Sequence, residues 1–148
     1  MTKIGITTFL LCCLLSTIAF AGESYLCVAN MATGFKYNKT LKKWENANFT
    51  IDDHKYVVSR SKEEGVVWEV KQIGQQIPMA KCNNDFDENG YIFCEYYRKF
   101  KMNKNNLRFI SDYSFGYYNE SPKGKIGVFF EDGWDTPFIE IGKCSPLP

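Results

Sequence analysis

The stretch that decides the fold is KCNNDFDENGYIFC, residues 81–94, in which two cysteines enclose a polar, turn-forming segment. The tetrapeptide at 87–90, Asp-Glu-Asn-Gly, favours a tight chain reversal, because Asn and Gly tolerate the positive φ that such turns require. A turn centred near Glu88 would place Cys82 opposite Cys94 on two antiparallel strands. We therefore predict a β-hairpin here, held in register by a Cys82–Cys94 disulfide.

Residues 1–21 have the pattern of a signal peptide. Lys3 is followed by an apolar run at 9–15, and Ala19-Phe20-Ala21 fits the cleavage pattern of small residues. The run is short for a transmembrane helix, so we expect no stable membrane anchor after cleavage. The remaining residues, 22–148, suit a single exported β-domain. Lys3 is the one charged side chain lost, which leaves acidic and basic side chains balanced and gives no support for a nucleic-acid surface.

Four cysteines remain after this cleavage. An exported chain favours oxidation to disulfides, and the spacing lacks the paired C-x-x-C ligands of a zinc site. Sequence alone permits three connectivities. We favour Cys82–Cys94 because of the turn between them, which leaves Cys27 to bond Cys144 and to tie the first strand to the last.

The mature chain alternates apolar and polar residues with a period of two, as β-strands do. Val66, Trp68 and Val70 share one face, for example, and Ile139 and Ile141 continue the same apolar period near the end of the chain. Turn-forming segments separate these runs, and no window has a sustained helical period. We predict an all-β fold: a single-domain antiparallel small barrel or sandwich, stapled by two disulfides.

The segments CVANMATGFKYN, residues 27–38, and TPFIEIGKCS, residues 136–145, resemble the opening and the ending of a group of short exported proteins of Gram-negative bacteria. Trp44 and Phe49 fit the same resemblance. It covers most of the mature chain and implies a location in the bacterial envelope, but it implies no particular chemistry.

The loop at 131–137 offers the main candidate binding residues. Trp134 lies between Asp132 and Asp135, and an exposed aromatic ring beside carboxylates suits sugar stacking or contact with a partner protein. The alternative is that Trp134 folds back to cover one end of a barrel. A second candidate is a basic hairpin that could bind an anionic envelope polymer. The simpler interpretation is a charged hairpin that contacts only solvent. Its lysines are Lys36, Lys39, Lys42 and Lys43.

His54 is the single histidine, and a hydrolase could use it as a general base. Its sequence neighbours include acids but no nucleophile, so we predict a solvated turn residue. A cleft that joins His54 to two acids would favour an enzyme instead. The positions Asp85, Asp87 and Asn89 resemble part of a calcium loop, but Tyr96 stands where a bidentate Glu is required. We predict no catalytic residue, no metal site and no cofactor.

These observations favour an exported binding or accessory protein of the bacterial envelope, periplasmic or secreted, that does not catalyse a reaction. Its partner would be a protein or a glycan. An inhibitor-like or immunity-like role fits the small disulfide-bonded β-domain by analogy of fold. The alternative is a small secreted hydrolase that uses carboxylates or His54.

Overall fold

A computed structural model describes residues 23–114, 117 and 136–148. These ranges contain nine β-strands: β1 (Ser24–Asn38), β2 (Lys43–Asn48), β3 (Lys55–Arg60), β4 (Trp68–Gln72), β5 (Ala80–Cys82), β6 (Tyr91–Glu95), β7 (Lys99–Asn103), β8 (Arg108–Tyr113) and β9 (Phe138–Pro146). All paired neighbours are antiparallel. The predicted all-β class is confirmed.

The strands form one curled sheet in the order β5-β4-β3-β1-β9-β8-β7-β6, with β2 paired to β1 beside this path. Strand β1 organises the sheet, because its first part pairs with β3, its second part with β2, and its other edge with β9. The curled sheet is nearly closed, so the architecture is barrel-like. A barrel of this kind encloses its core with the inward side chain of every second residue.

The two end strands of the sheet, β5 and β6, meet at a seam. The Cys82–Cys94 disulfide joins them with the Cα atoms 4.1 Å apart. Near the seam, the backbone N–H groups of Tyr97 and Arg98 both donate to the Met79 carbonyl oxygen, at 3.1 and 3.0 Å. The predicted disulfide is therefore confirmed, but it brings together the two ends of the barrel-like sheet.

The predicted hairpin at 81–94 is wrong. The turn itself forms, with Gly90 at φ 80° and its N–H donating to the Asp87 carbonyl oxygen at 2.9 Å. Strand β5 nevertheless pairs with β4, and β6 pairs with β7. Because the sheet curls into a barrel, β5 and β6 lie at the two ends of the sheet although they are adjacent in sequence. The turn residues between them do not indicate which strands pair.

The second disulfide, Cys27–Cys144, is also confirmed and joins β1 to β9 at directly paired positions. Both cysteines belong to a buried aromatic and aliphatic core that includes Trp68, Tyr56 and Phe100. The ring of Tyr56 packs edge-on against Phe109 with the centroids 5.9 Å apart. Two disulfides fit a chain that folds outside the reducing cytosol.

Strand β9 has its isoleucines on the outer face and a glutamate inside. Ile139 and Ile141 are exposed, whereas Glu140 is buried with Cys144. Successive side chains of a strand point to opposite faces, so Glu140 must enter the interior if Cys144 does. The period-two pattern was right, but the apolar residues of this strand are on the outside.

The predicted signal peptide, residues 1–21, lies outside the described residues. Within the described ranges, no helix is long and apolar enough to span a membrane.

Candidate functional site

Glu140 is the centre of a buried polar cluster at one end of the barrel. Its side chain is 0% exposed. One carboxylate oxygen, Oε2, lies 2.6 Å from His54 Nδ1, and the other, Oε1, accepts a hydrogen bond of 2.7 Å from the Tyr56 hydroxyl. An ionised carboxylate can only accept hydrogen bonds, so an ionised Glu140 places the hydrogen on His54 Nδ1. The carboxylate thus fixes the ring of His54.

Tyr56 connects the carboxylate to an arginine. Burial raises the pKa of Tyr56 above its usual range, and the hydrogen bond to Glu140 and the charge of that carboxylate raise it further. The phenol therefore stays protonated and donates to Glu140. Arg98 Nη1 in turn donates to the Tyr56 oxygen at 3.2 Å and lies 3.8 Å from Glu140 Oε1.

The backbone positions His54 and Arg98, the two partners of Glu140 that reach the surface. His54 follows a turn in which its N–H donates to the Ile51 carbonyl oxygen at 2.9 Å, and its own carbonyl accepts from the Ala29 N–H at 3.0 Å. Arg98 lies in the bend between β6 and β7, where its N–H bonds to Met79 at the seam. Their side chains are 20% and 21% exposed, so each links the buried carboxylate to the surface.

A cleft of about 830 Å³ opens beside this cluster. Its lining combines three aromatic rings, cationic side chains and small polar groups: Lys36, Ala47, Asn48, Phe49, Thr50, His54, Arg98, Tyr113, Thr136 and Phe138. The Phe138 ring lies 5.8 Å from the ring of His54 and 4.9 Å from the guanidinium of Arg98, measured to ring centroids. The volume is in the range of small-molecule sites.

The charge of the described lining is one-sided. Lys36 and Arg98 are cations, whereas no Asp or Glu is among these residues. Glu140 lies behind them without exposure and compensates part of the charge of Arg98. In the side chain of Arg98, only Nη1 donates a hydrogen bond to a described residue, so the remaining N–H groups of the guanidinium can donate to a ligand.

The structure corrects one prediction about His54 and leaves others untested. His54 is not a solvated turn residue, because its ring is mostly buried and bonded to Glu140. It meets one buried acid among the described residues. The predicted binding residues Asp132, Trp134 and Asp135 lie outside the described residues.

In the acidic loop that resembles a calcium site, the carboxylates of Asp85 and Asp87 accept hydrogen bonds from groups of the protein itself. Asp85 accepts from Trp68 Nε1 at 2.8 Å and pairs with Arg60 Nη2 at 2.8 Å. Asp87 Oδ1 accepts from the N–H groups of Asn89 and Tyr91 at 3.0 and 2.7 Å. In the described part of the chain, no group of three or more His, Cys, Asp or Glu side chains could hold a metal ion.

Sequence reasoning missed Glu140, Tyr56 and Arg98. One signal was present for Glu140, which precedes Cys144 by four residues in the same strand and must share its face. Because Cys144 was predicted to form a disulfide with the first strand, the inward position of Glu140 could have been inferred from it.

Comparisons of the sequence with protein-family models and with curated proteins, and of the fold with solved structures, find no match. The fold and the site therefore define only a class: a barrel-like β-domain with two disulfides and a cationic, aromatic cleft. Its function has to be argued from the cleft.

Proposed function

We propose that this chain is an exported binding domain, periplasmic or secreted, whose cleft takes a small ligand, or the end of a larger one, through an anionic group. The anion would be a carboxylate or a phosphate. The observation that carries the proposal is the partly exposed Arg98 guanidinium, which is held from behind by Tyr56 and Glu140 and faces a cleft with no described carboxylate in its lining.

Arginine suits this role because its planar fork of N–H groups matches a carboxylate or phosphate with two parallel hydrogen bonds. Glu140 and Tyr56 hold the guanidinium on one side, so less conformational freedom is lost when a ligand binds. Lys36, on β1, supplies a second positive charge to the lining. An acidic ligand is therefore favoured over a basic one.

The aromatic side chains of the lining indicate which kind of group lies next to the anion in the ligand. Phe49 and Phe138 lie with their ring centroids 6.1 Å apart, and Tyr113 lies 6.0 Å from Phe138. Such a wall packs against an aromatic, aliphatic or sugar-ring portion next to the anion. Thr50, Thr136 and Asn48 add hydroxyl and amide groups that can bond polar atoms of that portion.

The proposal is tested with matched pairs of small probes that differ in charge. We expect saturation-transfer NMR on the oxidised protein to detect benzoate and phenyl phosphate, but to give much weaker signals with benzamide and phenol. Arg98→Gln should abolish the preference for the anion, and Lys36→Gln should weaken it. Lys62→Gln, at an exposed lysine outside the cleft, is the control and should change nothing. Equal binding of charged and neutral probes would contradict the proposal.

A hydrolase is the second candidate, because the 2.6 Å contact between His54 Nδ1 and Glu140 is the arrangement of a carboxylate that orients a general base. The described lining of the cleft contains no serine or cysteine, so such an enzyme would have to activate water or a threonine hydroxyl. We expect no turnover of p-nitrophenyl acetate or p-nitrophenyl phosphate above background. Turnover that disappears in His54→Gln would replace the binding proposal with the enzyme.

A further inference from the structure

The outer face of the sheet carries an exposed apolar row that crosses five strands. The strand registers align Phe93 with Lys101, Lys101 with Ile110, Ile110 with Ile141, and Ile141 with Met31. Phe93 and Met31, at the two ends, are each 60% exposed, and Ile110 and Ile141 are exposed between them. We call these five residues the outer row.

This row is not a continuation of the core. The residues that alternate with it, such as Ile92, Met102 and Phe109, are buried and already fill the interior. An antiparallel sheet with one packed face normally has a polar outer face. Four apolar side chains in one cross-strand row therefore indicate an interaction surface.

The two rows that flank the outer row differ in charge. Lys101 lies within the outer row, and the adjacent row contains Arg108 paired with Lys143 but no acid. The acids of these strands, Glu95 and Asp112, belong to the row on the other side, where Glu95 lies 4.0 Å from Lys99. The apolar row thus lies against a cationic strip.

The charge and the residue composition of this face indicate what binds to it. The centre of a protein interface is depleted in lysine, yet Lys101 lies between Phe93 and Ile110. On a lipid surface a lysine can extend its ammonium to the headgroups while its stem stays with the apolar side chains.

We propose that the outer row and its cationic strip dock the protein reversibly on an anionic phospholipid surface. The apolar side chains would enter the boundary between headgroups and acyl chains, and Lys101, Arg108 and Lys143 would contact lipid phosphates. This inference is independent of the ligand proposed for the cleft, because neither row contributes a residue to the described lining.

The test is co-sedimentation of the oxidised protein, purified after secretory expression, with two kinds of vesicle. We expect binding to phosphatidylglycerol–phosphatidylethanolamine vesicles that weakens as salt is raised, and little binding to phosphatidylcholine vesicles. Phe93→Ser and Lys101→Glu should each lower the partition coefficient by roughly tenfold, from lost apolar insertion and lost charge respectively.

Matched controls separate the outer row from general stickiness and charge. Ile77→Ser removes an apolar side chain that is 67% exposed outside both rows, and Lys62→Glu reverses an exposed charge between β3 and β4; neither should change binding. Circular dichroism must show that each variant is folded. Absence of binding to the anionic vesicles would overturn the proposal and favour an acidic protein as occupant. Equal binding of Phe93→Ser and the unchanged protein would overturn it as well.

Discussion

Removal of the buried carboxylate is the sharpest perturbation of this fold. Glu140→Ala deletes the partner of His54 and Tyr56 and leaves Arg98 without its nearest carboxylate. Breaking a buried ion pair by removing one member typically costs about 3–5 kcal/mol. We therefore expect Glu140→Ala to lower the free energy of unfolding by about 3–5 kcal/mol, a large share of the roughly 5–15 kcal/mol typical of a domain.

A conservative replacement separates the charge of Glu140 from its hydrogen bonds. In Glu140→Gln the amide oxygen can still accept from Tyr56, and the amide N–H can donate to a neutral His54. The loss should then be smaller, about 1–2 kcal/mol. Glu64→Ala, at an exposed position, is the control and should stay within about 0.5 kcal/mol of the unchanged protein.

The assay is equilibrium unfolding of the oxidised protein in guanidinium chloride at neutral pH, with the transition followed by tryptophan fluorescence. Stability changes are compared at equal m-values, because a change in m would indicate an altered unfolded or native state. A loss below about 1 kcal/mol for Glu140→Ala would refute the reasoning that this cluster supports the fold. A Glu140→Gln loss as large as that of Glu140→Ala would refute the division between charge and hydrogen bonding.

Three further predictions concern single positions. Ser111→Ala should be neutral or stabilising by up to about 1 kcal/mol in the same unfolding assay, because the Ser111 hydroxyl is buried with no hydrogen-bond partner among the described residues; a clear loss of stability would show that the hydroxyl is bonded. Gly142→Ala should destabilise by roughly 2–3 kcal/mol, since the added Cβ would collide with the Val28 carbonyl oxygen and the Phe109 ring; unchanged stability would contradict the close approach of β1 and β9. Burial opposes ionisation of Asp85, but the hydrogen bonds it accepts from Trp68, Arg60 and the following amide outweigh that effect and lower its pKa. This carboxylate should therefore stabilise the fold above the ordinary aspartate pKa of 3.8. The stabilisation should be lost as the pH falls through the lowered pKa of Asp85. Asp85→Asn should flatten this part of the acid dependence, and an identical acid profile in the variant would count against the assignment.

Much of the fold could be predicted from local patterns. The period of two, the turn residues and the even number of cysteines gave the all-β class and both disulfides. The position of the Cys82–Cys94 bridge in the sheet could not be predicted in this way, because closure of a curled sheet brings together strands that have no mutual register. The turn at Gly90 formed as expected, but it joins two strands that pair with other neighbours.

The candidate site was beyond local patterns for a different reason. Glu140 is separated from His54 by 86 positions and from Tyr56 by 84. A single Glu between two isoleucines predicts that the Glu side chain lies on the solvent-exposed face of the strand. Only the disulfide at Cys144 indicates that it lies inside. The cost of burying a carboxylate is offset by three partners, two from residues 54–56 and one at Arg98, all distant from Glu140 in sequence, and this offset becomes visible only in the folded protein.

The central claim is that Arg98 and the cleft beside it bind an anionic group. The most direct test is a titration of the ¹⁵N-labelled oxidised protein with phenyl phosphate, followed in ¹H–¹⁵N correlation spectra that include the Arg98 side chain. We predict that the largest shifts fall on Arg98, His54 and Thr50, and that Arg98→Gln removes them. Shifts that cluster away from the cleft, or that persist unchanged in Arg98→Gln, would contradict the account.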